Sequence, residues 1–435
     1  MSRVLDQYKR ASQSLAGGVS SSTRVNQALG HPLYIDRGEG CRVWDLDGRP
    51  YIDLCCSHGA TLLGHGDARV RKAVEGAMER GAPCSYESEM HAELAALLCD
   101  TVPCLDRVRF TGSGTEATLH FIRLARAVTG RTKLLRFEGN FHVYPDQVMF
   151  GASELGQFAP PLSPQSSGVT PGLEQHLLQI PYNNVDMLNR AFDLHGPELA
   201  AAICEPIYYN AGCILPEPEF MTTLRKRTCE TGALLIFDEV LSAFRMCAGG
   251  AQQYLDVMPD LCTLGKSVGG GYPLSVFGGH QDLMERLMPE GDCQHSGTYN
   301  AHPVVVTAAL AAVQTYREES FYPHIDAVGE RLIGGINAIF QRHGVPGLAR
   351  GLGARFGIYF GIDGPIRNYF DTQQHDRQQM LRFIAAAIEE GVYFHDYGGV
   401  ACHHGFCAAM TLDVVDEALE KLDRAVGRME EKKGD

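Results

Sequence analysis

Strand and helix signals alternate through the middle of this chain, which predicts an α/β fold with a mostly parallel central sheet covered by helices on both faces. Three observations carry that prediction. Short apolar runs recur at residues 107–110, 133–137, 200–204, 233–237, 261–264 and 273–277. Helix-period stretches separate several of them: Ala117, Phe121, Leu124, Ala125 and Val128 share one helix face, and Gly130 ends it. The 435 residues exceed one simple core, and 45% hydrophobic with 21% charged residues marks a globular chain.

Each segment adds to this frame. The start of the chain reads as strands and turns, with Asp47-Gly48 set between apolar runs as a hairpin signal. Residues 303–316 and 414–429 read as helices flanking a mixed segment. Residues 1–65 and 310–435 are expected to form a smaller α+β domain around a large domain at 66–309. Residues 151–181, rich in Gly, Pro, Ser and Gln, break the rhythm. A loop of that length predicts an active-site lid or a partner-contacting flap.

Charge and cysteine usage narrow the function. A net charge of -14 excludes a basic nucleic-acid footprint and a polybasic membrane surface. No apolar run approaches a membrane span, and the first ten residues lack the apolar core of a signal peptide. The 14 cysteines are scattered without a CxxC pair, the pattern of reduced cytoplasmic thiols.

In α/β sheets ligands bind beyond the carboxyl ends of the strands, and three such ends carry chemistry. Thr111-Gly112-Ser113-Gly114-Thr115-Glu116-Ala117 follows a strand and opens a helix. Free N–H groups and two hydroxyls there suit a phosphate. The same residues read as a capping box, and a dinucleotide site using Glu138 also fits them. The run 233–237 ends in Asp238, which alone reads as a cap. Leu264-Gly265-Lys266-Ser267 imitates the end of a P-loop, but that motif needs Gly where Asp260 stands. A lysine crowded between an apolar strand and glycines loses its proton more readily, as imine chemistry requires. An anion site, a carboxylate for a ring nitrogen and an imine-forming lysine are the three contacts that pyridoxal 5'-phosphate (PLP) requires.

At these residues the sequence resembles the class III, fold-type I PLP-dependent aminotransferases, nearest the glutamate-1-semialdehyde 2,1-aminomutase and β-amino-acid aminotransferase branch. The motifs are GSGTEA at 112–117, FEGNFH at 137–142, ALLIFDEV at 233–240, TLGKSVGGGYP at 263–273 and HSGTYN at 295–300. The resemblance implies that Lys266 carries PLP as a Schiff base and shuttles protons. It implies that Asp238 pairs with the ring nitrogen, that Val240, Phe141, His142 and Asn210 surround the ring, and that Ser113, Gly114 and Thr115 hold the phosphate. Thr298 resembles a residue that reaches the phosphate of a neighbouring subunit, implying a homodimer with shared active sites. Arg24 resembles the arginine that grips a substrate carboxylate.

Departures from the family pattern fall around the substrate. Gly112 replaces a usual Asn, Phe141 a ring-stacking Tyr and Val143 a Gly. The aminomutase carries a glutamate in the region of His395 to Gly405, and no counterpart aligns here. His403 is expected to contact substrate. Adjacent His403 and His404 match no zinc spacing, so no metal is expected. The implied reaction is amino transfer between an amino-acid-like donor and a carbonyl acceptor, ping-pong through pyridoxamine phosphate. The alternative is an intramolecular aminomutase; more remote is a non-catalytic nucleotide-binding module.

Overall fold

Seven strands form the central sheet of the computed structural model, which describes residues 2–431. Their order across the sheet is Arg107–Thr111, Ser275–Gly279, Leu261–Leu264, Leu234–Glu239, Leu199–Cys204, Lys133–Phe137 and Leu177–Ile180. Ser275–Gly279 runs antiparallel to both neighbours, and the other adjacent pairs are parallel. Six strands match the apolar runs of the sequence, with Ser275–Gly279 starting two residues later than predicted. The seventh, Leu177–Ile180, lies inside the stretch predicted as loop. All four of its residues are buried, so it shows no alternation by which to recognise it.

Alternate side chains on each strand enter opposite layers. Leu134, Ile203, Ile236, Leu261 and Phe277 pack with Phe121, Ile122 and Leu124 of the helix Gly114–Thr129. Leu135, Phe137, Cys204, Leu235 and Phe237 join Phe220, Met221 and Leu224 of the helix Pro218–Thr231 on the other face. The predicted helix stop is in place: Gly130 adopts φ 67° and its N–H closes on Arg126.

The chain ends meet beside this sheet. Arg42–Asp45 and Pro50–Asp53 pair antiparallel through the Asp47-Gly48 turn, and Val392–Tyr393 adds in parallel to Pro50–Asp53. A second small sheet joins Gly347–Leu352, Arg355–Phe360 and His404–Gly405. The helix Leu412–Glu431 contains the predicted 414–429 segment. Residues 151–181 differ from the predicted lid. They supply the second strand of a hairpin, Phe150–Ala152 with Leu162–Pro164, then the edge strand Leu177–Ile180. None of them lines the cavity described below.

Candidate active site

Strand direction gathers the chemistry on one edge. The parallel strands end at Thr111, Cys204, Glu239 and Leu264, so Ser113, Glu205, Asp238 and Lys266 emerge together. Gly265 lets the chains close up: a Cβ there would lie 2.9 Å from Val240 Cγ1 and 3.1 Å from Ser275 Oγ. A Cβ on Gly114 would sit 3.3 Å from both Val240 methyls. Val240 is thus wedged between the glycine before the lysine and the glycine opening the helix.

Lys266 sits at φ 47°, a left-handed conformation that turns it away from its strand. Its ammonium has no hydrogen-bond or ion-pair partner among the described residues. Burial pulls its pKa down to about 8; the charge of Asp238 opposes this, and the buried Arg245 and Arg355 add to it. A substantial fraction is therefore neutral near pH 8, as a nucleophilic amine must be.

Asp238, 4% exposed, is held on both oxygens. Oδ1 accepts from the Val240 N–H (3.1 Å) and the Thr263 hydroxyl (3.3 Å). Oδ2 lies 2.8 Å from His142 Nδ1. Burial lowers the His142 pKa, so the ring is neutral and donates its Nδ1 proton to the carboxylate. His142 stands behind Asp238 and does not line the cavity.

The 112–117 loop is a capping turn with spare donors. The Ser113 hydroxyl accepts from the Glu116 N–H (3.3 Å), while the Glu116 carboxylate takes the Gly112 N–H (2.7 Å). Glu116 thus reaches one residue beyond the cap, a variant of the expected box. The N–H groups of Gly114 and Thr115, in the first turn, have no acceptor among the described residues. Glu138 does not face this loop. It is fully buried and accepts from the Gly156 N–H (2.9 Å), which removes the acid a dinucleotide reading needs.

A cavity of about 450 Å³ opens in front of Lys266. Phe141, Val143, Asn210 and His403 line it, as do Tyr397 of the divergent 395–405 segment and Tyr144, Tyr369, His375 and Arg377, which carry no signal in the sequence. No carboxylate is among its lining residues. Phe141 is 39% exposed and meets Tyr144 edge-on at 5.6 Å. Asn210 gives its amide to Glu205 (2.8 Å), which also takes the Phe141 N–H (2.8 Å). Burial raises Glu205 to about 8.

Two predicted residues lie elsewhere. Arg24 is exposed and lines an adjoining pocket with Asp53, Cys55 and His395; only His58 borders both spaces. Thr298 is exposed and outside the cavity of its own chain. His404 is buried against Phe356 and Phe394, away from the cavity. A different trio, Cys55, His58 and His395, brings its polar atoms within 4.8 Å of one another. The buried Arg355 and Arg245 behind this wall were missed, because nothing local marks an arginine whose partners are distant carbonyls.

Comparison with known proteins adds to this geometry. Residues 24–426 match the model of the class III aminotransferase family. Glutamate-1-semialdehyde 2,1-aminomutase of Syntrophomonas wolfei is 37% identical over 96% of this chain and 98% of its own length. The enzyme of that name from Persephonella marina is 35% identical over 90% and 91%. Among solved structures, an omega-transaminase from Sphaerobacter thermophilus superposes with TM-score 0.91 at 30% identity, covering 98% of this chain and 97% of its own. A β-phenylalanine aminotransferase from Variovorax paradoxus gives TM-score 0.87 at 29% identity, covering 98% and 93%. The chain belongs to the class III aminotransferases, PLP-dependent enzymes of fold type I.

Proposed function

We propose that this protein moves an amino group between an amino-acid-like donor and a carbonyl acceptor, keto acids included, in two half-reactions at one site. The observation that carries the reading is the unpaired Lys266, set between the cavity and the Asp238–His142 pair. The residues fit PLP. The two spare N–H groups of Gly114 and Thr115 suit a phosphate, joined by the side chains of Ser113 and Thr115. Val240 and Phe141 would pack against the ring, with Asn210 beside it. Asp238 would pair with the ring nitrogen, while His142 holds the carboxylate ionised and oriented. PLP, when bound, supplies an electron sink beside the carbon that loses its proton. Lys266, as a neutral amine, would take that proton, hold it as an ammonium and give it up again to complete the half-reaction. Arg24 would hold a substrate carboxylate from the adjoining pocket. Thr298, exposed and remote from its own cavity, would serve a partner's site in a homodimer. The enzyme would work in the cytoplasm.

A second reading is favoured by one observation: the curated relatives at 37% and 35% identity are named aminomutases. Against it stand the absence of a carboxylate from the cavity lining and the absence of residues 151–181 from that lining. The test feeds the PLP-loaded enzyme a panel of amino donors and follows the cofactor absorbance. Release of one keto product per site, with no isomerised product, is expected. Isomerisation of glutamate 1-semialdehyde without release would replace this reading with the mutase.

A further inference from the structure

His403 carries a constraint that its own sequence neighbourhood does not reveal. Arg355, 1% exposed, sits in the strand Arg355–Phe360 opposite Gly405. One of its terminal nitrogens, Nη2, meets both the His403 carbonyl (2.6 Å) and the His403 ring nitrogen Nδ1. The other, Nη1, donates to the Cys55 carbonyl (3.2 Å). The slot is built for a guanidinium. A Cβ on Gly405 would lie 2.4 Å from Nη1, and a Cβ on Gly59 would lie 3.3 Å from Cζ.

A guanidinium only donates, so Nδ1 of His403 must accept. An imidazole that accepts at Nδ1 is neutral and carries its proton on Nε2. That nitrogen has no partner within the chain among the described residues, and His403 lines the cavity in front of Lys266. We propose that Arg355 is a positioning residue that locks His403 as an uncharged Nε2–H donor, and that this donor reads an acceptor oxygen, carboxylate or carbonyl, on the substrate.

The inference rests on the aminotransferase reading for its substrate but not for its chemistry. A fixed neutral donor selects differently from a cation. It binds an oxygen acceptor without demanding charge, and it leaves an ammonium at the same place unsatisfied. The aromatic wall of Phe141, Tyr144, Tyr369 and Tyr397 would then carry the apolar part of the same molecule.

The test combines a spectroscopic and a binding readout on the PLP-loaded enzyme. Nitrogen NMR of histidine-labelled protein, with His403 assigned from the His403→Gln spectrum, should show Nδ1 bare and Nε2 protonated. Arg355→Met should release the Nδ1 constraint and give mixed tautomers, and Arg355→Lys should restore the single form. 3-Phenylpropanoate, a carboxylate without an amine, serves as the binding probe. His403→Leu should weaken it about tenfold, whereas His403→Gln, which keeps an N–H donor, should stay within about twofold. An Nδ1–H or doubly protonated His403 in the wild type overturns the proposal. So does an Arg355→Met spectrum unchanged from wild type, or equal probe affinity in wild type and His403→Leu, absence of binding to both included. If no amino donor changes the cofactor absorbance while the tautomer and probe results hold, the aminotransferase reading fails and the donor lock stands.

Discussion

Lys266 joins a left-handed backbone to an amine with no hydrogen-bond or ion-pair partner among the described residues, and its proposed reactivity rests on that environment. Its ammonium form is disfavoured by burial, so the free amine dominates above about pH 8, well below the ordinary lysine range. The rate at which cofactor-free protein takes up added PLP, measured by borohydride trapping, should therefore rise with pH and level off above about 8. A midpoint near that of a free lysine, about 10.4, would remove the burial argument. Lys266 and Asp238 are legible in the sequence because each stands where an apolar strand stops, so the proposed site and the local pattern coincide. Glu205 also follows an apolar run, but its partners, like those of Arg355, are not legible. Glu205 answers the N–H of Phe141, and Arg355 answers His403; both contacts exist only after distant segments meet. Val143 sits at φ 60°, a conformation that β-branched residues avoid. The family preference for Gly at this position has that physical reason.

Among the elements, the two glycine-flanked turns on either side of Val240 do more than connect strands and helices. The distances leave no room for a methyl at Gly265, where Val240 Cγ1 would be 2.9 Å away, and little at Gly114, where it would be 3.3 Å away. Gly265→Ala should cost about 1–3 kcal/mol by overpacking, and it should push Val240 toward the ring position. Urea unfolding and PLP dissociation measured on the same variant check both halves. Loss of stability without loss of cofactor affinity would separate the turn from the site. Gly114→Ala should show the same pattern more weakly. The repeated run-and-turn rhythm made six sheet strands readable. Leu177–Ile180 escaped because a four-residue strand buried on both faces follows a polar stretch, where composition argues for loop. The same stretch predicts a lid, yet its residues do not line this cavity. The cavity is instead bordered by Tyr369, Thr372, Gln373, His375 and Arg377, whose sequence has no glycine-rich signature.

At the scale of the whole molecule, the site is assembled from both ends and the middle of the chain. His58 follows the strand Pro50–Asp53, His403 precedes the short strand His404–Gly405, and Lys266 follows the strand Leu261–Leu264. That convergence fills the interior with charge. Arg136, Arg245 and Arg355 are each at most 1% exposed, and their recorded partners are carbonyls and one imidazole rather than carboxylates. Two of them, Arg245 and Arg355, add to the depression of the Lys266 pKa. The consequence can be read from Lys266 itself. Its folded pKa of about 8 lies below the unfolded value, so between the two the unfolded chain binds more protons. The Lys266 contribution to the stability of the cofactor-free protein therefore becomes less unfavourable as pH rises across that window, and its penalty is fully present below about pH 8. Lys266→Met removes the group. At pH 7 the cofactor-free variant should be more stable than cofactor-free wild type by on the order of 3 kcal/mol, a few degrees in Tm. The difference should shrink as both are measured at higher pH, toward about 10.4, where the unfolded lysine also loses its proton. A variant that melts at or below the wild-type temperature at pH 7 would show that the lysine is accommodated without strain on the fold, and the link between the buried cations and a reactive amine would have to be abandoned.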